Sequence, residues 1–63
     1  MPTSKQIREL MIEAGRHGDW LTVKLCEVAL GELGWTTIDG KRYGKRRAIE
    51  AIAAIIADAG AQR

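Results

Sequence analysis

The residues of this sequence best suited to binding chemistry form a basic stretch at positions 41–47, which reads Lys-Arg-Tyr-Gly-Lys-Arg-Arg. Three of its cations, Lys45, Arg46 and Arg47, fall where the sequence predicts the first turn of a helix. There the positive end of the helix macrodipole makes each cation unfavourable by about 0.3–1 kcal/mol. A charge placement that works against local stability, with no evident structural gain, indicates a functional position. An anion bound at such a helix start would contact exposed backbone amides as well as cationic side chains.

The basic stretch therefore predicts a site for an acidic macromolecule, either the phosphates of a nucleic acid or the carboxylates of an acidic protein surface. Trp35 and Tyr43 flank this stretch and could stack on bases, as aromatic residues do in proteins that bind single strands. Two aromatic residues beside a turn more often cap a small core, and we favour that interpretation. The predicted partner-binding residues are Lys41, Arg42, Tyr43, Lys45, Arg46 and Arg47.

A purely structural interpretation of the basic stretch has about equal weight. Arg46 lies four residues before Glu50, which is the spacing of an ion pair along one helix face. Arg42 or Arg47 could also pair with an acidic residue of a neighbouring helix, which would make the stretch an ordinary solvated charged surface. The candidate acidic partners on that neighbouring helix are Glu27 and Glu32.

Residues suited to catalysis or metal binding are few. The chain has one histidine, His17, and one cysteine, Cys26, so it lacks the three or four ligands of a zinc site. Cys26 falls on an apolar helix face, where cysteine behaves as a small hydrophobic residue, and His17 falls in a turn. No glycine-rich phosphate loop follows a predicted strand. We expect a protein that is not an enzyme and that needs no metal or cofactor.

Length and composition predict a single domain over residues 1–63. Hydrophobic residues make up 46% of the chain and charged residues 29%, a balance typical of globular domains. The three aromatic residues and the absence of phenylalanine imply an aliphatic, alanine-rich core, which suits packed helices better than a β-sandwich. The expected class is all-α, a small three-helix domain with a short hairpin or loop between helices 2 and 3.

The first predicted helix spans residues 4–15. Thr3 and Gln6 have the spacing of a capping box, and apolar residues then recur at the three- and four-residue intervals of one helix face. We expect residues 15–18, Gly-Arg-His-Gly, to provide the positive φ angles that end the helix. Asp19 is the predicted N-cap of the next helix. The apolar face of helix 1 consists of Ile7, Leu10, Met11 and Ala14.

Helix 2 is predicted over residues 20–33 and is apolar around most of its circumference, so we expect it to be central and buried. Residues 35–38 and 41–43 then read as a hairpin on an Asp-Gly turn, with an irregular loop nearly as well supported. Helix 3 is predicted over residues 44–59, ending at Gly60. Its apolar stripe consists of Ile49, Ile52, Ile55 and Ile56.

A partial resemblance extends over about half of the chain. The segment 14–19, Ala-Gly-Arg-His-Gly-Asp, with Val23, Leu25-Cys26 and Ala29-Leu30 after it, resembles short uncharacterised helical proteins of bacterial phages, plasmids and other mobile elements. Those proteins also end in a helix similar to residues 55–59, Ile-Ile-Ala-Asp-Ala. The resemblance implies a small helical protein of mobile-element type and assigns no catalytic residue. Residues 35–44 depart from the compact form of this pattern.

The lone cysteine cannot form an internal disulfide, which fits a reducing compartment. The first five residues lack an apolar signal core, and no segment approaches the roughly 20 apolar residues of a membrane span. We therefore expect a cytoplasmic protein that is neither exported nor embedded in a membrane.

The leading functional hypothesis is a non-catalytic binding protein that contacts an acidic partner, either nucleic acid or an acidic protein surface, through the basic stretch and the start of helix 3. The alternative is a protein-interaction module, either a homodimer or an inhibitor of a host protein, that uses apolar helix surface such as Ile12. A helix-turn-helix fits poorly because helix 2 has only a narrow polar face.

Overall fold

The computed structural model describes residues 1–61 and contains three helices and one hairpin. Helix α1 spans Ser4–Arg16, α2 spans Trp20–Ala29 and α3 spans Lys45–Ala61, with strands β1 (Thr36–Ile38) and β2 (Lys41–Tyr43) between α2 and α3. The three predicted helices are therefore present. The all-α class is only partly correct, because β1 and β2 pair into a small antiparallel sheet.

Helix α1 begins with the predicted capping box. The Gln6 amide donates to the Thr3 hydroxyl at 3.1 Å, and the Thr3 amide donates to Gln6 Oε1 at 2.8 Å, so two free amides are satisfied reciprocally. The helix continues through Gly15 to Arg16. Of the two glycines expected to end it, only Gly18 has a positive φ, of 70°. Gly15 is an ordinary helical residue, which corrects that part of the prediction.

Helix α2 is shorter than predicted, because it ends at Ala29 and not at residue 33. Gly31 takes a left-handed φ of 86°, which a helix cannot include. We expected α2 to be buried around most of its circumference, and this was wrong for the first turn of the helix. Trp20 is 63% exposed and Leu21 is 54% exposed, since burial in this helix begins only at Thr22.

The segment between α2 and α3 is a hairpin and not an irregular loop. Asp39 and Gly40 have φ angles of 52° and 78°, the two positive values that a type I′ turn requires. This turn fixes the register, in which Thr36 faces Tyr43, Thr37 faces Arg42 and Ile38 faces Lys41. One face of the hairpin packs on the helices through Thr36, which is buried, and through Ile38 and Tyr43, which border the core.

Helix α3 begins at Lys45, with the Gly44 carbonyl accepting from the Ala48 amide at 2.9 Å. The helix passes through Gly60 and reaches Ala61, so the predicted stop at Gly60 was wrong. Gly60 has no positive φ, and its backbone simply continues the helix.

The core is aliphatic, as its composition predicted. Helix α2 packs against both α1 and α3. Cys26 and Ile52 are fully buried at the centre, which confirms the predicted burial of the thiol. Within residues 1–61, no helix is long and apolar enough to cross a bilayer. The buried cluster consists of Ile7, Leu25, Cys26, Val28, Ala29, Ala48 and Ile52.

Candidate functional site

The six predicted partner-binding residues occupy strand β2 and the first turn of α3. Alternation along β2 places Lys41 and Tyr43 on one face of the hairpin and Arg42 on the other. Lys41, Arg42 and the three cations of the α3 start are exposed, whereas Tyr43 is half-buried against the core. The basic stretch therefore divides into two neighbouring surfaces.

The first surface is a shallow groove between β2 and α3. It encloses about 480 Å³ and brings Lys41, Tyr43 and Arg47 together. Glu50 and Ala51 complete its wall. Two cations and a phenol hydroxyl around one depression suit a phosphate or a carboxylate, and the carboxylate of Glu50 works against an anion there. Glu50 also lies 3.9 Å from Arg46, which offsets part of its charge.

A hydrogen bond joins the hairpin to the helix at this groove. Arg47 Nη1 donates to the Arg42 carbonyl oxygen at 3.2 Å. This contact uses one of the five N–H donors of the guanidinium, so Arg47 retains donors for a ligand while its position is partly fixed.

The start of α3 has no side-chain cap of its own, because glycine occupies position 44. The first amides of any α-helix have no partner within the helix, so those of residues 45–47 depend on water or a ligand. An anion is favoured at this position by both the amides and the macrodipole.

The second surface is the outer face of the hairpin. The Arg42 guanidinium carbon lies 4.8 Å from the Trp35 ring centroid, which is a cation–π contact. Trp35 remains 54% exposed even with Arg42 over its ring. The two aromatic residues thus differ: Tyr43 packs against the core as favoured, whereas Trp35 lies on the surface and does not belong to the core cluster.

Only one of the ion pairs expected from a purely structural role of the basic stretch is present in the described part of the chain. Arg46 and Glu50 form the expected pair, but at 3.9 Å with the Arg46 side chain 93% exposed, such a pair contributes little to stability. Across residues 1–61, no ion pair joins Arg42 or Arg47 to Glu27 or Glu32.

The residues that could have carried covalent chemistry lie apart from this site. Cys26 is fully buried, and burial, with smaller contributions from the charges of Asp19 and Glu27, raises the pKa of its thiol to about 11. It is therefore protonated and inert at neutral pH. His17 is exposed at the end of α1 and lies 2.9 Å from Glu13. The described part of the chain holds no group of three or more potential metal ligands.

A third surface is a cleft between α1 and the C-terminal part of α3. Its volume is about 490 Å³, and its floor is apolar, with Leu10, Ile55 and Ile56. Glu9 and Glu13 lie along its α1 edge. This cleft was not predicted from the sequence, because it depends on how far apart the two outer helices lie.

Comparisons with protein-family models, with curated proteins and with solved structures gave no match to this chain. The resemblance to proteins of mobile elements therefore stays a hypothesis that rests on the residues of the helices alone.

The contact between Trp35 and Arg42 is the main feature of the site that sequence reasoning missed. A signal for it was present. A two-residue type I′ turn at Asp39-Gly40 fixes which residues share a face, and it places positions 35, 37 and 42 together on the outer side.

Proposed function

We propose that this chain is a small non-catalytic binding protein whose basic surface contacts an acidic macromolecule, in particular nucleic acid. The basic surface comprises β2 and the first turn of α3, residues 41–47. The observation that supports this most strongly is the grouping of Lys41, Tyr43 and Arg47 around one groove beside the uncapped helix start. No acidic residue of α2 neutralises the cations of that surface within residues 1–61.

Energetics support a binding role for the helix start. Lys45, Arg46 and Arg47 each oppose the macrodipole, and the exposed pair with Glu50 recovers little of that free energy. An anionic ligand would convert this unfavourable charge into attraction.

The decisive experiment neutralises two cations of the helix start. We expect the double variant Arg46→Gln/Arg47→Gln to lose binding to a nucleic-acid or polyanion probe, while its melting temperature stays equal or rises slightly. The matched control is Lys5→Gln/Arg8→Gln, which removes the same net charge from exposed positions of α1. Fluorescence anisotropy with a labelled oligonucleotide measures the first effect, and thermal unfolding followed by circular dichroism measures the second.

Salt dependence provides a second test with the same probe. Binding should weaken steeply as salt rises, because each neutralised phosphate releases counterions, and the slope should be shallower for the double variant. Normal binding by the double variant would refute the basic-surface function. Unfolding of the double variant would show instead that these arginines are structural.

A second candidate function is a protein-interaction module. Three large apolar side chains of α1 and α2 are exposed, with Ile12 at 59%, Trp20 at 63% and Leu21 at 54%. The cleft between α1 and α3 adds a concave apolar surface. Such exposed apolar area is typical of protein interfaces. Loss of partner binding in Leu21→Gln, with normal binding in Arg46→Gln/Arg47→Gln, would favour this function over the first.

A further inference from the structure

We propose that the outer face of the hairpin, formed by Trp35 and Arg42, is a stacking site for unpaired nucleobases. The acidic partner is then a single-stranded nucleic acid. This inference rests on the proposed function and specifies the partner class of the same surface. It depends on a different observation, the exposed Trp35 ring with its guanidinium neighbour.

The exposure of Trp35 is the first step of the argument. An indole left in water forgoes the free energy that its burial would provide, and a chain of this size has little apolar surface to spare. Position 35 lies on the opposite side of the hairpin from Thr36 and Ile38, so its side chain faces away from the core. Trp35 is 54% exposed, and the Arg42 guanidinium lies over its ring. An ordered, exposed aromatic surface is therefore available to a ligand.

The chemistry of the pair indicates which ligand it suits. Unpaired bases stack on aromatic rings and on the planes of arginine guanidinium groups, and Trp35 and Arg42 offer both in one place. Arg42 adds a positive charge beside the stacked base, where the strand carries a phosphate.

The outer face of the hairpin is connected to the groove between β2 and α3. The backbone carbonyl of Arg42 accepts from Arg47, and Lys41 and Tyr43 lie on either side of Arg42 in β2. Because Lys41 and Tyr43 face the other side of the hairpin from Arg42, a strand that stacks a base on Trp35 would pass around the edge of β2 to bring its neighbouring phosphates to Arg47 and the α3 start. Flat apolar surface next to several cations matches the alternation of bases and phosphates in a single strand.

A duplex uses this surface poorly. Its bases are stacked on one another and present only their edges, so the face of Trp35 would gain no stacking partner. Phosphate contacts alone would need the cations but no exposed indole. We therefore favour single-stranded over double-stranded nucleic acid.

The test compares two exposed tryptophans. Trp35→Ala should weaken binding to an oligonucleotide of about ten unpaired nucleotides by about 5-fold to 100-fold, the usual effect of losing one stacked base. Trp20→Ala is the matched control, because Trp20 is similarly exposed but lies at the start of α2. Trp35→Tyr should retain most of the affinity, since a phenol ring also stacks. The probes are oligo(dT), oligo(rU), a DNA duplex of equal length and inorganic polyphosphate.

A fluorescence measurement tests the site without removing Trp35. In a Trp20→Phe variant, Trp35 is the only tryptophan, and stacking should quench its emission when oligo(dT) or oligo(rU) binds. Polyphosphate should bind without quenching. Quenching by both oligonucleotides is expected, because every base has a face that can stack on the indole.

The outcomes distinguish the two proposals. The stacking site would be overturned if Trp35→Ala bound oligonucleotides as tightly as the native chain. It would also be overturned if Trp35 emission did not change at saturating oligonucleotide. In both cases the basic-surface function would stand. Equal affinity for single strand, duplex and polyphosphate would overturn it in the same way. Absence of binding to every one of these polyanions would overturn the proposed function itself.

Discussion

Asp19 shows how one side chain fixes the start of a helix in this molecule. Its Oδ1 accepts from the Thr22 amide at 3.3 Å, and its Oδ2 accepts from the Thr22 hydroxyl at 2.6 Å. We expect Asp19→Ala to lower the free energy of unfolding by about 0.5–2 kcal/mol, because it removes the N-cap of α2. Asp19→Asn, which keeps an acceptor at the same place, should lose much less. Urea unfolding measures both, and equal stability of the alanine variant and the native chain would contradict the cap.

The buried thiol of Cys26 predicts a dependence of stability on pH. The pKa of the thiol is raised from 9.0 to about 11 in the folded chain, chiefly by burial. Between these values the unfolded chain has lost the proton that the folded chain retains, so stability must fall as pH rises. The contribution is complete below pH 9 and is lost by about pH 11, amounting to roughly 2–3 kcal/mol.

The measurement is a difference between native and Cys26→Ala proteins, because every other titratable group is common to both and cancels in the difference. The native protein should be the more stable at pH 8, where it keeps its buried sulfur packing. The difference in free energy of unfolding between the two proteins should shrink steadily towards pH 11. Parallel pH curves for the two proteins would show that the thiol is not the group responsible.

At the scale of the element, the φ angle of each glycine shows whether a helix continues through that residue or ends there. Gly15 lies inside α1 without a positive φ, and a Cβ added there would meet nothing within 4 Å. We expect Gly15→Ala to raise the free energy of unfolding by about 0.5–1 kcal/mol. Gly31 has a φ of 86°, so Gly31→Ala should lower the free energy of unfolding by about 1–2 kcal/mol.

The opposite signs make each variant the control of the other, since the added methyl group is the same and both sites have open space. Thermal unfolding followed by circular dichroism is sufficient. A destabilising Gly15→Ala would mean that Gly15 ends α1, as the sequence pattern predicted, and is not an ordinary helical residue.

The elements that sequence reasoning predicted well are those set by local interactions. The capping box at Thr3 and Gln6 and the turn at Asp39-Gly40 involve residues at most three apart, and both are present. The end of α2 was missed because the predicted helix ran to residue 33 with Gly34 as its stop, whereas the left-handed conformation falls at Gly31. The exposure of Leu21 was missed for another reason: it depends on where the neighbouring helices begin to cover α2.

The candidate site follows the same division. The cations at 41–47 are visible in the sequence, and so is their conflict with the macrodipole. Their separation into a groove with Lys41 and Arg47 and an outer face with Arg42 depends on the hairpin register. The cleft between α1 and α3 depends on packing over the whole chain, and no local pattern encodes it.

At the scale of the whole molecule, the chain is compact but exposes more surface than its mass requires. Its radius of gyration is 10.8 Å, close to the value of about 11 Å expected for this length. Its accessible surface is 4566 Å², against about 4000 Å² for a typical folded protein of 6.9 kDa. Large apolar side chains that remain exposed contribute to this excess, among them Trp20 at 63% and Ile12 at 59%.

This surface leads to the last prediction, that the protein self-associates as a symmetric dimer through exposed apolar side chains of α1 and α2. Small chains gain stability by burying area that one copy cannot cover, and a two-fold arrangement is the commonest solution. Sedimentation equilibrium from micromolar to millimolar protein should show a rising mass. We expect Ile12→Gln/Leu21→Gln to remain monomeric, because it removes two of the largest exposed apolar groups.

Trp35→Gln is the matched control, since Trp35 is exposed to the same extent as Leu21 but lies on the hairpin. It should dimerise like the native chain while losing affinity for single strands. A native chain that stays monomeric at millimolar concentration would refute the dimer and leave Ile12, Trp20 and Leu21 as surface for a different protein. Dimerisation abolished by Trp35→Gln alone would place the interface on the hairpin, where it would compete with the stacking site.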